Sequence, residues 1–348
     1  MNPVARGHFA TRSQPSPAVN GFLNLYKPVG ISSMEALRQV KRITGQRRKV
    51  GHAGTMDPLA RGVLPVCFGQ ATRLMEYVVD GDKLYRMVVR LGATTQTYDS
   101  EGEPEPVREP DYVTAGMVEQ ACLPFIGTID QRPPMFSAVK VDGQRLYKLA
   151  RAGVEVEREP RQVDIFAIRL VEFDLPFVTL DVECGRGVYM RSLAHDLGMA
   201  LGCGGYVTDL ERKYSAGFRS EEGVTPEWLE MAVNKTGNRE EWLRYIHPLD
   251  QVLKRYRAIA VSAPAEKRLR NGQEVATGKL GFMPGYLETF RAYGPDGQFV
   301  ALVRHNRQTN SWQPEKVFNL EEPSPFAADS LHSLESQPTD DSFIISSP

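Results

Sequence analysis

The spacing of apolar residues predicts three β-strands. Residues 22–25 read FLNL and indicate a short strand. Residues 84–91 alternate between apolar and polar positions, so one face of a strand is predicted to carry Tyr85, Met87, Val89 and Leu91. Residues 178–184 alternate in the same way, and the inward positions are predicted to be Val178, Leu180, Val182 and Cys184.

Two helices follow from the same pattern. Ser32 and Glu35 match a capping box, and apolar residues then recur at helical spacing as far as Gly45. The buried stripe of this helix is predicted to be Met34, Leu37, Val40 and Ile43. Residues 188–201 predict a second helix, with a buried stripe of Met190, Leu193, Ala194 and Leu197. Because helices and strands alternate irregularly, the pattern favours an α+β fold over a doubly wound sheet.

Changes of composition divide the chain into four parts. Residues 1–20 are polar and predict a disordered leader, and the Ser-, Pro- and acid-rich residues 321–348 predict a disordered tail. Residues 21–252 are predicted to form the first domain. The sequence TFRAYGPDGQFVALVRH then reads as a hairpin around a Pro-Asp-Gly turn. Residues 253–320 are therefore predicted to form a small, mostly β domain.

The composition is that of an ordinary globular protein. Of the 348 residues, 41% are hydrophobic and 24% are charged, which excludes a wholly disordered chain, a collagen and a coiled-coil rod. No apolar run is long enough to span a membrane, and no apolar signal core lies near the N-terminus. The four cysteines lie far apart, which argues against a zinc site or redox pair and favours a cytoplasmic protein: Cys67, Cys122, Cys184 and Cys203.

Charge is segregated along the chain. The net charge is −1, but six of the 43 acids and none of the 42 cations lie in residues 321–348, so residues 1–320 carry +5. The run from Arg38 to Lys49 holds six cations and no acid. A basic surface suited to nucleic acid is therefore predicted in spite of the near-neutral total.

The segment GHAGTMDPLARGVLPVCFG, residues 51–69, is the most informative one. One interpretation makes Asp57 a helix N-cap and Pro58 the first helical residue. The other makes Asp57 a nucleophile held on a tight loop, where a nearby cation or backbone donors would keep its pKa low and the carboxylate ionised. Both remain open on spacing alone.

Several common catalytic patterns are missing from the sequence. It contains no GxxxxGK[ST] loop, no GxSxG elbow and no deaminase-type HxE and CxxC pair. Its glycine clusters GRGVY and GCGGY do not form a dinucleotide-binding fingerprint. The sequence therefore predicts chemistry without a cofactor.

Five blocks in this order resemble the bacterial TruB-type tRNA pseudouridine synthases. The blocks GHAGTMDPLARGVLPV and CGRGVYMRSLAHDLG are specific to these enzymes, and the resemblance extends over about residues 21–320. Small departures occur, among them Arg212-Lys213 where the family has Arg-Thr. The five blocks occupy residues 21–33, 51–66, 82–102, 131–153 and 184–198.

The resemblance implies a fold and a reaction. The expected fold is a catalytic domain on a mixed, mainly antiparallel sheet with flanking helices, followed by a PUA-like RNA-binding domain. The expected reaction is isomerisation of uridine 55 in the tRNA T loop. Asp57 aligns with the catalytic nucleophile, Arg191 with the arginine that pairs with it, and Tyr85 with the tyrosine that stacks on the base. Without the resemblance, Tyr85 would be interpreted as a core residue and Arg191 as a surface residue.

The resemblance also implies contacts to RNA. His52 aligns with a histidine that helps to extrude the target nucleotide, and Lys27 belongs to a matching KPxG motif. Residues 131–153 match a mobile segment, the thumb, that closes on the T-stem loop. Three cations of the thumb are candidate phosphate ligands, and each is equally well explained as a solvated residue: Arg145, Lys148 and Arg151.

The expected protein is thus a cytoplasmic, monomeric isomerase that acts on tRNA without a cofactor, a membrane or an obligate protein partner. Two alternatives remain open. One is a tRNA-folding chaperone whose catalysis is dispensable or lost, and the other is a guide-RNA-dependent synthase that works inside a ribonucleoprotein. Retention of the three catalytic candidates argues against the first, and the thumb segment favours the stand-alone enzyme over the second.

Overall fold

The computed structural model describes most of the chain. Near the N-terminal end of the described part, the Asn20 side chain accepts a hydrogen bond from the backbone amide of Gln70. Residues 1–18 of the expected leader lie outside the described part. The described residues are 19–137, 140–141, 144–151, 153–154, 156–238, 240–277, 283–327 and 344–346.

A large sheet forms the centre of the first domain. In spatial order its main path runs β14-β1-β3-β12-β4-β11-β10-β7, with β2 paired to β3 and β13 paired to β12. Among the described strand pairs of this sheet only β12 and β3 are parallel, so the expected mixed, mainly antiparallel sheet is confirmed. Its strands are β1 (Gly21–Lys27), β2 (Val50–His52), β3 (Ala60–Phe68), β4 (Lys83–Leu91), β7 (Gly127–Gln131), β10 (Arg161–Asp174), β11 (Phe177–Cys184), β12 (Gly205–Ser215), β13 (Phe218–Arg219) and β14 (Ile246–His247); two small hairpins join β5 (Ala93–Thr94) to β6 (Glu105–Pro106) and β8 (Lys140–Val141) to β9 (Gln144–Arg145).

Strands β1 and β3 are buried on both faces, because their successive residues alternate between two cores, whereas β4, β10 and β11 alternate between buried and more exposed positions. On β1, Leu23 and Leu25 pack under the helices, whereas Phe22 packs against the second domain. The predicted inward positions of β11 are all fully buried, and so are those of β4 except Tyr85, which is half-buried. The strand predictions are thus confirmed.

Most of the described helices contribute to the core on one face of the large sheet, but Met75–Asp80 packs in the core shared with the second domain and Ala263–Arg270 packs within the second domain. The capping box at Ser32 is confirmed, and Gly45 ends the first helix in the left-handed conformation. The predicted stripe was wrong at Met34, which is 47% exposed; Ser33 and Ala36 are buried instead. No helix of the described part is both long and apolar enough to cross a membrane. The helices are α1 (Ser33–Thr44), α2 (Met75–Asp80), α3 (Ala115–Cys122), α4 (Leu146–Arg151), α5 (Met190–Ala200), α6 (Pro226–Thr236) and α7 (Ala263–Arg270).

A second sheet forms the β-rich C-terminal domain. Its strand order is β16-β19-β18-β17-β15-β20. The predicted hairpin is confirmed, because β17 and β18 pair antiparallel around the Pro-Asp-Gly turn. Its strands are β15 (Ala258–Ala260), β16 (Val275–Ala276), β17 (Thr289–Tyr293), β18 (Phe299–Asn306), β19 (Ser311–Val317) and β20 (Ile344–Ser346).

Parts of the expected disordered tail are ordered. Residues 321–327 pack against the junction of the two domains, where Ala327 is buried and Lys254 lies 3.9 Å from the Phe326 ring centroid. Strand β20 pairs antiparallel with β15 and covers the edge of the second sheet. Disorder in the rest of the tail stays a prediction, because those residues lie outside the described part of the chain.

A buried carboxylate ties the two domains together. Asp250 is completely buried, and its Oδ2 accepts hydrogen bonds from the Tyr293 hydroxyl at 2.6 Å and the Ser324 hydroxyl at 2.5 Å. Gln70 and Asn319 add a reciprocal pair of hydrogen bonds across the same junction. Continuous apolar packing accompanies these bonds, since one core cluster holds Phe22 of the first domain and Phe299 of the second.

Replacing Tyr293 by Phe is expected to destabilise this junction. The substitution leaves buried Asp250 with one hydrogen-bond donor fewer, which costs about 1–3 kcal/mol. Chemical denaturation should show that loss for Tyr293→Phe and a change below about 0.5 kcal/mol for Tyr286→Phe, since Tyr286 is 72% exposed. Equal stability of the two variants would contradict a role for the Asp250 bond.

Candidate active site

Asp57 lies on a tight loop between β2 and β3 and does not cap a helix. The Ala60 amide donates to the Asp57 carbonyl at 3.1 Å, which closes a turn that leads directly into β3. The N-cap interpretation was therefore wrong. Ser33 at the start of α1 fixes the loop, since its hydroxyl accepts from the Met56 amide and donates to the Met56 carbonyl.

Lys27 supports the same loop from below. Its side chain is fully buried, and Nζ donates to the carbonyls of Pro28, Ile31 and Pro58. Burial lowers the pKa of Lys27 to about 8. The ammonium group points at the backbone beside Asp57, which fits an architectural role of the KPxG motif, and a contact between Lys27 and RNA stays a prediction.

A cleft of about 270 Å³ opens above this loop. It brings together three residues that the sequence predicted, namely Asp57, Tyr85 and Arg191. The walls come from the loop after β2, from β4, from β12 and from the turn that leads into α5. Further lining residues include Lys83, Ser137, Tyr189, Leu210 and Arg212.

Arg191 is the buried centre of the site, with a side chain only 4% exposed. Its Nε lies 2.8 Å from Asp57 Oδ2, and its Nη1 lies 3.3 Å from Asp99 Oδ2. Nη1 also donates to the Thr97 carbonyl at 3.2 Å and Nη2 to the Phe136 carbonyl at 2.8 Å. The surface interpretation of Arg191 was wrong: one guanidinium joins the Asp57 loop, the β5–β6 connection and the thumb.

Asp99 is a site residue that the sequence analysis missed. It is buried beside Arg191, and its Oδ1 accepts from the Thr97 hydroxyl at 2.6 Å and the Glu101 amide at 3.0 Å. Nothing in the spacing of residues 93–106 distinguished it from an ordinary turn aspartate. Its role depends on a contact with α5, more than 90 residues further along the chain.

The electrostatics of Asp57 differ from the sequence expectation. Desolvation within the cleft raises the pKa of Asp57, and the neighbouring Asp99 charge raises it further, while Arg191 and Lys27 act in the opposite direction. The expected cation is present, but the net shift of the Asp57 pKa is upward and not downward. Asp57 is thus a more basic carboxylate than one in water.

Tyr85 faces the cleft from β4 with its hydroxyl next to a second arginine. Arg212 Nη1 lies 3.4 Å from the Tyr85 oxygen. Burial raises the pKa of Tyr85, and the Arg212 guanidinium opposes that rise. A carboxylate and a phenol therefore face one cleft, each beside a buried guanidinium.

The candidate RNA ligands are placed less directly. His52 ends β2, is half-buried and does not line the cleft; burial lowers its pKa. The backbones of Arg145, Lys148 and Arg151 lie on β9 and α4, but their side chains are outside the described part. At the root of the thumb, Gln131 exchanges two hydrogen bonds with the Tyr189 backbone. These expectations therefore stay predictions.

Comparison with known proteins defines the class of this chain. The family model described as TruB family pseudouridylate synthase, N-terminal domain, matches residues 41–190. A second model, the tRNA pseudouridylate synthase B C-terminal domain, matches residues 191–254. In structure, the chain is similar to the crystal structure of a Cbf5-Nop10-Gar1 complex, with a TM-score of 0.63, 25% identity and coverage of 88% of this chain and 86% of that one. Fold and family models together define a pseudouridine synthase.

Curated relatives make the assignment more specific. The tRNA pseudouridine synthase B of Clostridium acetobutylicum is 40% identical over 284 residues, which cover 82% of this chain and 95% of the relative. That of Dehalococcoides mccartyi is 38% identical over 309 residues, or 89% of this chain and 100% of the relative. The chain belongs to the tRNA pseudouridine synthase B family and is an isomerase, as the resemblance implied.

Two isosteric substitutions in the site are expected to have opposite effects on stability. Because the pKa of Asp57 is raised, its ionised form is disfavoured in the folded state, so Asp57→Asn should keep or increase the free energy of unfolding at pH 7. Any gain should shrink as the pH falls through the raised pKa, where the wild-type carboxyl becomes neutral. Asp99→Asn removes a charged partner of buried Arg191 and should cost about 1–3 kcal/mol.

The free energy of unfolding of both variants is measured by chemical denaturation between about pH 5 and pH 8, roughly the range in which proteins are most stable. A large loss for Asp57→Asn at pH 7 would show that the carboxylate is structural and contradict this account of the site.

Proposed function

We propose that this chain isomerises uridine 55 in the T loop of tRNA to pseudouridine, with Asp57 as the nucleophile. The observation that carries the proposal is the Asp57–Arg191 pair at the wall of a cleft that also holds Tyr85. The names of its relatives, tRNA pseudouridine synthase B, supply the substrate class.

The reaction fits a carboxylate in a partly desolvated cleft. Asp57 attacks the target nucleotide, the N1–C1′ bond breaks, the uracil rotates, C5 forms a bond with C1′, and the bond to Asp57 breaks so that the free carboxylate is restored. The proton leaves C5 and N1 gains one, so atoms and charge balance without an oxidant or an energy source. Covalent catalysis divides one difficult step into easier ones, and a basic carboxylate is a better nucleophile than an ordinary aspartate.

The other cleft residues have supporting roles in this proposal. Arg191 orients Asp57, because its guanidinium is held by the Asp99 carboxylate and by two backbone carbonyls. Tyr85 offers the flipped uracil an aromatic face, a contact that contributes about 1–3 kcal/mol per stacked base. Its hydroxyl lies where it can assist proton transfer.

The RNA would approach the cleft from the side of the loop between β2 and β3. His52 lies three residues after the end of the basic run, and Arg47, Arg48 and Lys49 within that run are exposed. Cations in such positions bind phosphates and orient the RNA without reading its bases. Thumb residues 131–153 would close over the T-stem loop, with their root already bonded to α5 through Ser192, whose hydroxyl donates to the Arg132 carbonyl.

The proposal includes a monomer that acts on tRNA in the cytoplasm without a cofactor, guide RNA or protein partner. Support for the stand-alone form comes from the curated relatives, which the chain covers over 95–100% of their length. The likeness to a protein of the Cbf5-Nop10-Gar1 complex keeps a guide-dependent synthase as the second candidate. A tRNA chaperone without required catalysis is the third.

Asp57→Asn should abolish pseudouridine formation on an unmodified tRNA transcript. An amide is not a nucleophile, whereas its size and shape match those of the carboxylate. Wild-type protein should convert one T-loop uridine, and the variant should convert none while it binds tRNA with similar affinity and remains folded.

The same assay separates the alternatives. Activity that survives Asp57→Asn would remove Asp57 from the mechanism. Wild-type protein that binds the transcript but is inactive would favour the chaperone, unless activity appears with a guide RNA and partner proteins.

Neutralising the basic run should weaken tRNA binding uniformly across tRNA sequences. With Arg47, Arg48 and Lys49 all replaced by Gln, the slope of log Kd against log salt should fall by about 0.7–0.9 for each phosphate that the protein no longer neutralises. Filter binding over a series of salt concentrations measures it. Arg244→Gln is the control, since Arg244 is equally exposed but ion-paired with Glu241; an unchanged slope in the triple variant would place the RNA elsewhere.

A further inference from the structure

Arg212 occupies a central position beneath the cleft. It lies on β12, opposite Gly62 of the parallel strand β3 and opposite Tyr85 of the antiparallel strand β4. Its side chain is only 1% exposed, yet it lines the cleft. A large cation is thus buried between the strand that follows the nucleophile loop and the strand that carries Tyr85.

The donors of Arg212 reach three separate elements. Nε donates to the Val63 carbonyl at 2.6 Å, Nη2 to the Gly54 carbonyl at 2.9 Å, and Nη1 to the Tyr85 hydroxyl at 3.4 Å. Because a guanidinium can only donate, the Tyr85 oxygen is the acceptor in this bond. The phenolic hydrogen of Tyr85 therefore points away from Arg212.

The glycines around Arg212 leave room for it. Gly62 has a φ of +105°, and a Cβ there would lie 2.3 Å from the Arg212 carbonyl oxygen. Gly54 has a φ of +84°, and a Cβ there would lie 3.2 Å from Nη1. Both glycines belong to the segment that carries Asp57, so this segment is shaped around the arginine as well as around the nucleophile.

The buried charge of Arg212 indicates a role other than packing. Within the described part of the chain, no carboxylate forms an ion pair with it, although burying a lone charge is costly. A purely structural bridge between carbonyls needs donors but no charge. The charge does have a neighbour on which it acts, the phenol oxygen of Tyr85.

We propose that Arg212 is a positioning residue for the proton transfers of isomerisation: it fixes the Tyr85 oxygen relative to the Asp57 loop. The inference rests on the proposed function. Isomerisation adds one proton to N1 and removes one from C5, and rotation of the uracil exchanges the places of these two atoms. The Tyr85 hydroxyl gives its proton to N1 after the N1–C1′ bond breaks, and its phenolate then takes the proton of C5, whose electron pair restores the C5–C6 double bond. Arg212 stabilises the phenolate between the two transfers.

The test uses the full-length protein with tRNA transcripts that carry either uridine or 5-deuterouridine. Arg212→Lys keeps the charge, but its single nitrogen cannot replace the three separate guanidinium nitrogens that contact Val63, Gly54 and Tyr85. It should lower kcat about 10- to 100-fold, as expected for a group that supports proton transfer, with KM for tRNA changed less than about twofold. The deuterium isotope effect on kcat should rise above the wild-type value, because proton removal from C5 becomes rate-limiting.

Two further variants make the experiment specific. Lys213→Met removes a cation from the next position of the same strand, where Lys213 pairs with Glu221, and should leave kcat and the isotope effect unchanged. Tyr85→Phe removes one oxygen, and adding Arg212→Lys to it should cost little more, because the two residues act through the same oxygen. Fully additive losses would contradict the proposal.

Each remaining outcome is decisive. If Arg212→Lys and Arg212→Gln lower only the melting temperature, with kcat and the isotope effect unchanged, or if neither folds, Arg212 is structural and the inference is overturned. If wild-type protein makes no pseudouridine, the proposed function itself is contradicted. That outcome is visible without any Arg212 variant and is therefore distinct from failure of the Arg212 inference.

Discussion

A buried guanidinium needs partners for its N–H groups, and the site is arranged around this requirement for Arg191. Two carboxylates and two backbone carbonyls from three separate segments converge on it: Asp57 from the loop after β2, Thr97 and Asp99 from the β5–β6 connection, and Phe136 from the thumb. None of these segments is held in place by regular secondary structure at the point of contact. Their common arginine defines where they meet, and therefore where the cleft lies.

Desolvation also changes the pKa of the carboxylate in this site. The same burial that requires Arg191 to be paired also makes the ionised form of Asp57 less favourable, so the pKa of Asp57 rises despite the adjacent cation. Lys27 contributes a second, weaker attraction from beneath the loop while it holds the loop backbone. The result of this balance is an ion-paired carboxylate at the wall of the cleft with a raised pKa.

Local patterns predicted what depends on neighbouring residues. The capping box at Ser32, the alternation in β4 and β11 and the Pro-Asp-Gly hairpin are all present, because each is decided within a few residues. Prediction failed where distant strands decide the outcome. Asp57 has the local features of a helix cap, but strand β3 pairs from Ala60 onward and excludes a helix. The contacts of Asp99 with Arg191 and of Arg212 with Tyr85 depend on how distant segments are arranged in the fold, which residue spacing does not encode. In the same way, strand β20 depends on the free edge of strand β15.

The hydrogen bonds at the thumb root have a consequence for the timing of catalysis. Gln131 fastens the thumb to the Tyr189 backbone, and five residues later the Phe136 carbonyl holds Arg191. In the proposed mechanism, a thumb that moves when RNA binds also moves a hydrogen-bond acceptor of Arg191, the residue that pairs with Asp57. The proposed function therefore couples substrate binding to the orientation of Asp57, because both depend on the position of the same segment.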